Sequence, residues 1–194
     1  MTSEWDDSQH WEASWWGTCI NTYGEEEKQL HYVKKMSLDL KHDSQGPFVD
    51  LQGKSVLDIG GGPVSFLLKC RNRGKAVVID PCDYPKWIDE RYKIANIEYR
   101  RIRGEDIDTS EVYDEVWIYN VLQHVEDPAK IVANARKVSK LIRVFDWLEI
   151  SGIGHPQHLL EPKMNEWFGG FGKVERGNGG KEYSGIFLGD HYEK

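Results

Sequence analysis

Cysteine is scarce in this chain: Cys19, Cys70 and Cys82 are odd in number and far apart. No Cys-x-x-Cys pair occurs, which removes the usual zinc spacing and a disulfide framework. Reduced thiols are expected, as in a cytoplasmic protein. No apolar run approaches the ~18 residues of a membrane span. The first residues, Met1-Thr2-Ser3-Glu4-Trp5-Asp6-Asp7, lack the basic and apolar stretches of a secretory signal. Basic residues never form a block, and the net charge is −7. That excludes a long duplex-binding surface, which needs clustered Lys and Arg, but leaves a single nucleotide possible. Internal repeats and low-complexity tracts are also missing.

What is present fits one soluble domain. A length of 194 residues with 39% apolar content can bury a full core. Tryptophan is over-represented at eight, and Trp5, Trp11, Trp15 and Trp16 crowd the first sixteen residues. Those rings either close over a bound molecule as an apolar lid or cover an edge of the core. We expect residues 1–48 to form an aromatic-rich cap with a helix, and residues 49–194 to form the main domain.

Ser55-Val56-Leu57-Asp58-Ile59-Gly60-Gly61-Gly62 is a buried strand running into a glycine turn. Such a turn is a general nucleotide-site element. A dinucleotide pyrophosphate at the following helix N-terminus would sit badly beside Asp58. Ser65 also stands where the dinucleotide fingerprint wants Gly or Ala. The acid suits a ligand with a cationic ammonium, so a nicotinamide-dependent enzyme is the disfavoured alternative.

Strand and helix patterns then alternate. A capping box at Thr22-x-x-Glu25 predicts a helix to Leu40, with a loop over 42–47. Helices are predicted over 63–73, 85–95, 127–138 and 161–168. Strands are predicted at 56–59, 76–79, 97–102, 115–121 and 141–148, and a hairpin of 173–175 with 182–188 turns around Gly177-Asn178-Gly179-Gly180. The fold class expected is a doubly wound, Rossmann-like α/β domain. Its seven-stranded sheet is mostly parallel, with an antiparallel C-terminal hairpin and helices on both faces. Ligands of such sheets bind beyond the carboxyl ends of the strands. Asp58, Asp80, Glu105, Asp106 and Asn120 all fall there.

These motifs, in this order, resemble those of class I S-adenosylmethionine-dependent methyltransferases of the small-molecule branch, over about residues 50–190. Asp58-Ile59-Gly60-Gly61-Gly62 is similar to the first motif, with Val64 where the family often has a third glycine. Val77-Val78-Ile79-Asp80 resembles the second, and Gly104-Glu105-Asp106-Ile107 the adenine-side acidic motif. Tyr113 to Pro128 is similar to the strand-four segment, and His158-Leu159-Leu160 to a late family stretch.

The resemblance implies S-adenosylmethionine as cofactor and a small polar acceptor, such as a metabolite, sugar or nucleotide, methylated on oxygen or nitrogen. It implies that Gly60, Gly61 and Gly62 admit the cofactor's methionine end. Asp58, or a water held by it, would meet the ammonium. Asp80 with Pro81 would lie at the ribose. Asp106 with the amide of Ile107, or alternatively Glu105, would lie at the adenine. Asn120 and Val121 would lie near the transferred methyl. His124 and His155 are candidate proton acceptors; each could instead only hold a loop. Trp15, Trp16, His155 and His158 are candidate substrate contacts. No ligand set for a metal is expected. A monomer or homodimer is expected, and the competing class is a non-catalytic cofactor-binding protein.

Overall fold

The computed structural model describes residues 4–20, 22–152, 154–177 and 179–192. Two helices come first, α1 (Glu4–Trp16) and α2 (Tyr23–Lys35). Strands β1 (Leu40–Asp43) and β2 (Gly46–Asp50) follow as a hairpin, then β3 (Val56–Ile59), β4 (Cys70–Arg71) and β5 (Ala76–Ile79). Helix α3 (Trp87–Ile94), β6 (Glu98–Arg100), β7 (Tyr113–Tyr119) and α4 (Pro128–Lys137) complete the middle. The chain ends with β8 (Ser139–Leu148), α5 (Glu161–Phe168), β9 (Lys173–Gly177) and β10 (Gly180–Leu188).

Seven strands form the main sheet in the order β6-β5-β3-β7-β8-β10-β9. Neighbours from β6 to β8 pair in parallel, and β10 is antiparallel to both β8 and β9. Strand order reverses between β3 and β7, and a crevice opens at that point beyond the strand ends. The expected doubly wound sheet with its antiparallel end is therefore the fold observed.

Two-residue periodicity sends alternate side chains to opposite faces. Leu57, Ile59, Val77, Ile79, Val116 and Ile118 pack with Ile131, Val132 and Met164 of α4 and α5. Val56, Val78, Trp117, Tyr119 and Phe145 pack with Tyr32 and Val33 of α2 and Ile88 and Tyr92 of α3. Burying each such large apolar side chain contributes ~1.5–3 kcal/mol. Asp58 has the parity of Val56, so its carboxylate points into the α2/α3 face. Register alone determines this.

Several expectations need correction. No helix is predicted before Thr22, yet α1 is a 13-residue helix. Its acidic first turn, Glu4, Asp6 and Asp7, complements the helix dipole. Helix α2 ends at Lys35, and Thr22 makes no side-chain cap bond to the backbone; its hydroxyl meets Glu26 at 3.4 Å. The expected loop over 42–47 is the β1–β2 hairpin, and β2 pairs in parallel with β4 as a small second sheet.

The expected helix over 63–73 is two 3-10 turns, Gly62–Val64 and Phe66–Lys69, followed by β4. Three tertiary partners, and Arg73 at the segment's own end, take backbone groups an α-helix would use. Ser65 N donates to the Tyr92 hydroxyl and Phe66 N to the Tyr119 hydroxyl, each at 3.0 Å. Gln29 donates to Val64 O, and Arg73 donates to Leu67 O at 2.5 Å. The glycine turn is thereby pinned to the sheet and to α2.

Candidate functional site

A cavity of about 450 Å³ opens at the carboxyl ends of β3, β5 and β7. Its floor is Gly60, Gly61 and Gly62, and its sides include Asp80, Pro81, Glu105, Asn120 and Val121. Its roof is α1, through Trp5, Gln9, Trp11, Glu12, Trp15 and Trp16. Helix α2 adds Glu25, Lys28, Gln29 and Tyr32, and the far end is closed by Trp147, Ile150, His124 and His155.

The glycine turn is shaped by close approach. Gly60 (φ 71°) and Gly62 (φ 59°) occupy left-handed backbone that favours glycine. A Cβ on Gly60 would stand 2.6 Å from Val121, and one on Gly61 would stand 2.6 Å from Asp58 Oδ2. At Gly62 a Cβ would stand 3.7 Å from the Tyr84 hydroxyl, 3.9 Å from Trp16 and 4.0 Å from Asp80. It would fill the cradle.

Asp80 is tied down by its neighbours. Gly62 N donates to its Oδ2 at 3.1 Å, and Cys82 N to its Oδ1 at 2.9 Å. Burial raises its pKa, while these amides and the Tyr84 hydroxyl oppose the rise. Asp80 lines the cavity, where its two carboxylate oxygens are acceptors of the kind two adjacent ribose hydroxyls would require. A bare glycine floor beside a two-oxygen acceptor fits a nucleoside joined to a polar tail.

Asp58 is set behind this wall rather than on it. Its carboxylate is fully buried, and Oδ2 accepts from Ser65 Oγ at 2.5 Å and the Tyr119 hydroxyl at 2.6 Å. Desolvation raises its pKa to about 7 against those two hydrogen bonds. Oδ1 has no partner among the described residues. The residue braces the turn from below, and direct contact with an ammonium in the cavity is closed off by Gly61.

On the far side, Glu105 lies in the cavity wall and Asp106 does not. Glu105 is buried, accepts from Asp127 N at 3.1 Å and pairs with Arg103 at 3.3 Å. Asp106 is exposed, 3.8 Å from Lys130 in an adjoining polar recess that shares Arg103 and Glu105. Ile107 is buried in the core beneath α4. Of the two acidic alternatives, the geometry favours Glu105. Trp5 covers this end, with the Arg103 guanidinium 4.6 Å from its ring centroid.

The turn after β7 carries Asn120, Val121, Gln123 and His124. Asn120 adopts φ 59° and its Oδ1 accepts from Gln123 Nε2 at 2.9 Å. Asp146 holds the turn: its Oδ2 accepts from Leu122 N at 2.8 Å and Val121 N at 3.3 Å. Burial raises the Asp146 pKa to about 7.

Both nitrogens of His124 are engaged. Nδ1 donates to Gly154 O at 2.6 Å, and Nε2 faces the Gln123 amide at 3.1 Å. Burial, with the neighbouring His155, lowers its pKa to about 4. His155 stacks obliquely on His124 with centroids 4.7 Å apart and is held by the Gly152–His155 bridge. His158 is exposed and outside the cavity, because the fully buried Leu159 beside it turns inward.

Trp15 and Trp16 both reach the cavity. Trp15 is 61% exposed and stacks on Trp11 at 5.4 Å, with Lys28 5.9 Å above it. Trp16 meets Tyr84 edge-on at 6.4 Å. Trp11 lies flat against Gly154, whose carbonyl also accepts from Ser8 at 3.2 Å. Gly154 thus joins the roof helix to the His124 turn.

Trp11 was read only as one ring of the tryptophan cluster, and Glu12, Gln123, Tyr84 and Trp147 were not read from the sequence. A signal for Trp11 and Glu12 existed. Trp5, Ser8, Trp11, Glu12, Trp15 and Trp16 recur at helical spacing, which places them on one side of α1. Among the described residues, no group of three His, Cys, Asp or Glu could hold a metal ion, and no helix is long and apolar enough to cross a membrane.

Comparison with known proteins agrees with this geometry. Residues 57–141 match a family described as a methyltransferase domain. Over 135 residues the chain is 30% identical to a ubiquinone biosynthesis O-methyltransferase of Acinetobacter baylyi, covering 66% of this chain and 53% of that protein. The chain spans about half the length of the relatives it matches. In fold it is similar to the N-methyltransferase NodS of Bradyrhizobium japonicum in complex with S-adenosyl-L-homocysteine. That likeness has a TM-score of 0.57 and 15% identity, and covers 86% of this chain and 88% of that one. Magnesium protoporphyrin IX methyltransferase of Synechocystis, with bound S-adenosylhomocysteine, matches at TM-score 0.56 and 12% identity, covering 71% and 75%. Motifs, sheet order and glycine cradle agree with these matches: residues 57–141 match a methyltransferase domain, and the fold is that of S-adenosylmethionine-dependent methyltransferases.

Proposed function

We propose that this chain moves a methyl group from S-adenosylmethionine to an oxygen or nitrogen of a small acceptor, and that a hydroxyl on a planar ring is the acceptor it suits best. One observation carries the reading. The glycine cradle and Asp80 open into the same chamber as the stacked Trp11–Trp15 pair, Tyr32 and Trp147. Flat aromatic walls favour a flat apolar guest, and such pairs add ~0.5–1.5 kcal/mol beyond the area they bury. The printed name of the Acinetobacter relative, an O-methyltransferase, supports oxygen over nitrogen.

In this reading the glycines and Asp80 hold the methionine and ribose parts, and Glu105 lies toward the adenine. When bound, the cofactor supplies a methyl carbon made electrophilic by its sulfonium. The protein aligns the acceptor and keeps water out; alignment of this kind can lower a barrier by ~7–11 kcal/mol. Helix α1 is the water-excluding element, since it contributes six of the lining side chains named above.

The test is release of S-adenosylhomocysteine from S-adenosylmethionine in the presence of catechol, phenol, a primary aromatic amine or a sugar. Catechol or phenol turnover above the amine and sugar supports the reading. Calorimetry showing no S-adenosylhomocysteine binding would sink it.

A further inference from the structure

We propose that Glu12, carried on the roof helix α1, is the general base that takes the acceptor's proton, and that His124, whose Nδ1 proton goes to Gly154 O, is not. The inference rests on the methyltransferase reading above.

The candidates in this chamber differ in what their atoms are free to do. His124 gives its Nδ1 proton to Gly154 O and presents Nε2 to the Gln123 amide. Neither nitrogen faces the chamber unpartnered. Burial also holds the ring neutral, with a pKa of about 4, so it is a weak proton acceptor. Burial likewise lowers the pKa of His155.

Glu12 is placed differently. Its Oε1 stands 3.2 Å from His124 Nδ1, in the chamber that joins the cradle to the aromatic walls. Its side chain is 16% exposed, and its ion-pair partner among the described residues is His124 alone. Its helical neighbours at ±3 and ±4 are Ser8, Gln9, Trp15 and Trp16, so α1 offers no cation. A largely buried carboxyl opposite a neutral imidazole, with no Lys or Arg ion pair among the described residues, is costly, and a catalytic role accounts for it. The titratable and charged groups facing it are Asp80 and Cys82 after β5, Glu25 and Lys28 on α2, and His124 and His155 at the far wall. Desolvation, then Asp80 and Glu25, raise its pKa to about 7, while the Trp16 side chain and Lys28 oppose the rise. A base ionising near the working pH combines the right protonation state with proton affinity.

The step balances with groups at hand. An acceptor O–H bond breaks, its proton goes to a Glu12 carboxylate oxygen, and its electron pair stays on the acceptor oxygen. That pair would form the new O–CH3 bond as the S–CH3 bond of bound S-adenosylmethionine breaks, its electrons staying on sulfur to leave S-adenosylhomocysteine, and the proton on Glu12 leaves to solvent.

The test uses the full chain with S-adenosylmethionine and catechol. Glu12→Gln is expected to lower kcat roughly 100-fold or more, with S-adenosylhomocysteine affinity by calorimetry changed only a few-fold. Glu12→Asp is expected to recover part of the rate. The acid limb of the pH profile near 7 should be present in the wild type and absent in Glu12→Gln. Independently of turnover, the carbon-13 resonance of the Glu12 carboxyl should titrate near neutrality in the free protein. A Glu12→Gln rate and acid limb like the wild type would overturn the base while leaving the methyltransferase reading intact. Wild-type protein that binds S-adenosylhomocysteine but leaves catechol unmethylated would overturn the acceptor class; the carboxyl titration then decides the base. A carboxyl titrating in the ordinary range near 4 overturns it, and one near neutrality supports it.

Discussion

The Tyr119 hydroxyl donates to Asp58 Oδ2 at 2.6 Å and accepts from Phe66 N at 3.0 Å. The last residue of β7 therefore clamps both the strand and the turn that form the cofactor floor. A family motif residue is held in place by a side chain on the neighbouring strand.

Tyr119→Phe removes that clamp. It leaves Asp58 with Ser65 alone and deprives the buried Phe66 N–H of its acceptor. Each such orphaned group costs ~1–3 kcal/mol. Urea unfolding at pH 7 should show a loss in this range, with S-adenosylhomocysteine affinity falling as the floor loosens. An unchanged unfolding midpoint would mean the clamp is dispensable.

Asp58 also makes stability depend on pH. Its folded pKa, about 7, lies above its ordinary value of 3.8. The folded state therefore binds the proton more tightly than the unfolded chain. The stabilisation is fully present below about pH 4 and is lost as pH rises through about 7. Asp58→Asn should flatten this part of the stability profile relative to wild type between pH 4 and 7.5. Denaturant midpoints measured across that window check it; parallel profiles would contradict it.

Asp80→Ala should weaken S-adenosylhomocysteine binding about 10- to 100-fold, the scale of one or two charge-assisted hydrogen bonds. The cost falls on the cofactor because both oxygens are already fixed by Gly62 N and Cys82 N. Calorimetry reads this directly, and a change under 3-fold would misplace the ribose.

Trp11→Ala should act on the acceptor instead. It removes the partner of Trp15 and the ring resting on Gly154. The KM for catechol should rise about 10-fold, with S-adenosylhomocysteine affinity nearly constant. Trp11→Phe should restore most of it.

His124→Ala separates the two proton-acceptor candidates. The variant opens the contact with Gly154 O and should lower kcat by disturbing the chamber. The acid limb of the pH profile should persist, because Glu12 remains. Disappearance of that limb in His124→Ala, with Glu12 intact, would return the proton to the histidine.

Much of the fold was legible along the chain because its strands are short, apolar and punctuated by turn residues. Val56 to Ile59 and Ala76 to Ile79 could be read as buried parallel strands because both faces of each are covered. The Asp127 N-cap, accepting from Lys130 N at 3.0 Å, and α5 ending at a left-handed Gly169 are local chemistry that any chain would show. Residues 63–73 could not be read this way. Their helical pattern was overridden by Tyr92, Tyr119 and Gln29, which arrive from elsewhere and claim the backbone, and by Arg73 at the segment's own end.

The sequence by itself determined the sheet and the strand ends where the polar residues collect, because two-residue alternation and glycine geometry are local properties, while the cofactor class came from the resemblance of its motifs to a known family. Tertiary structure alone decided which of those residues face the cavity. Parity turned Asp58 inward, packing sent Ile107 into the core, and Glu105 rather than Asp106 reached the wall. The roof was likewise decided at long range. Glu12 meets His124 only because α1 folds back across the strand ends, over one hundred residues away along the chain.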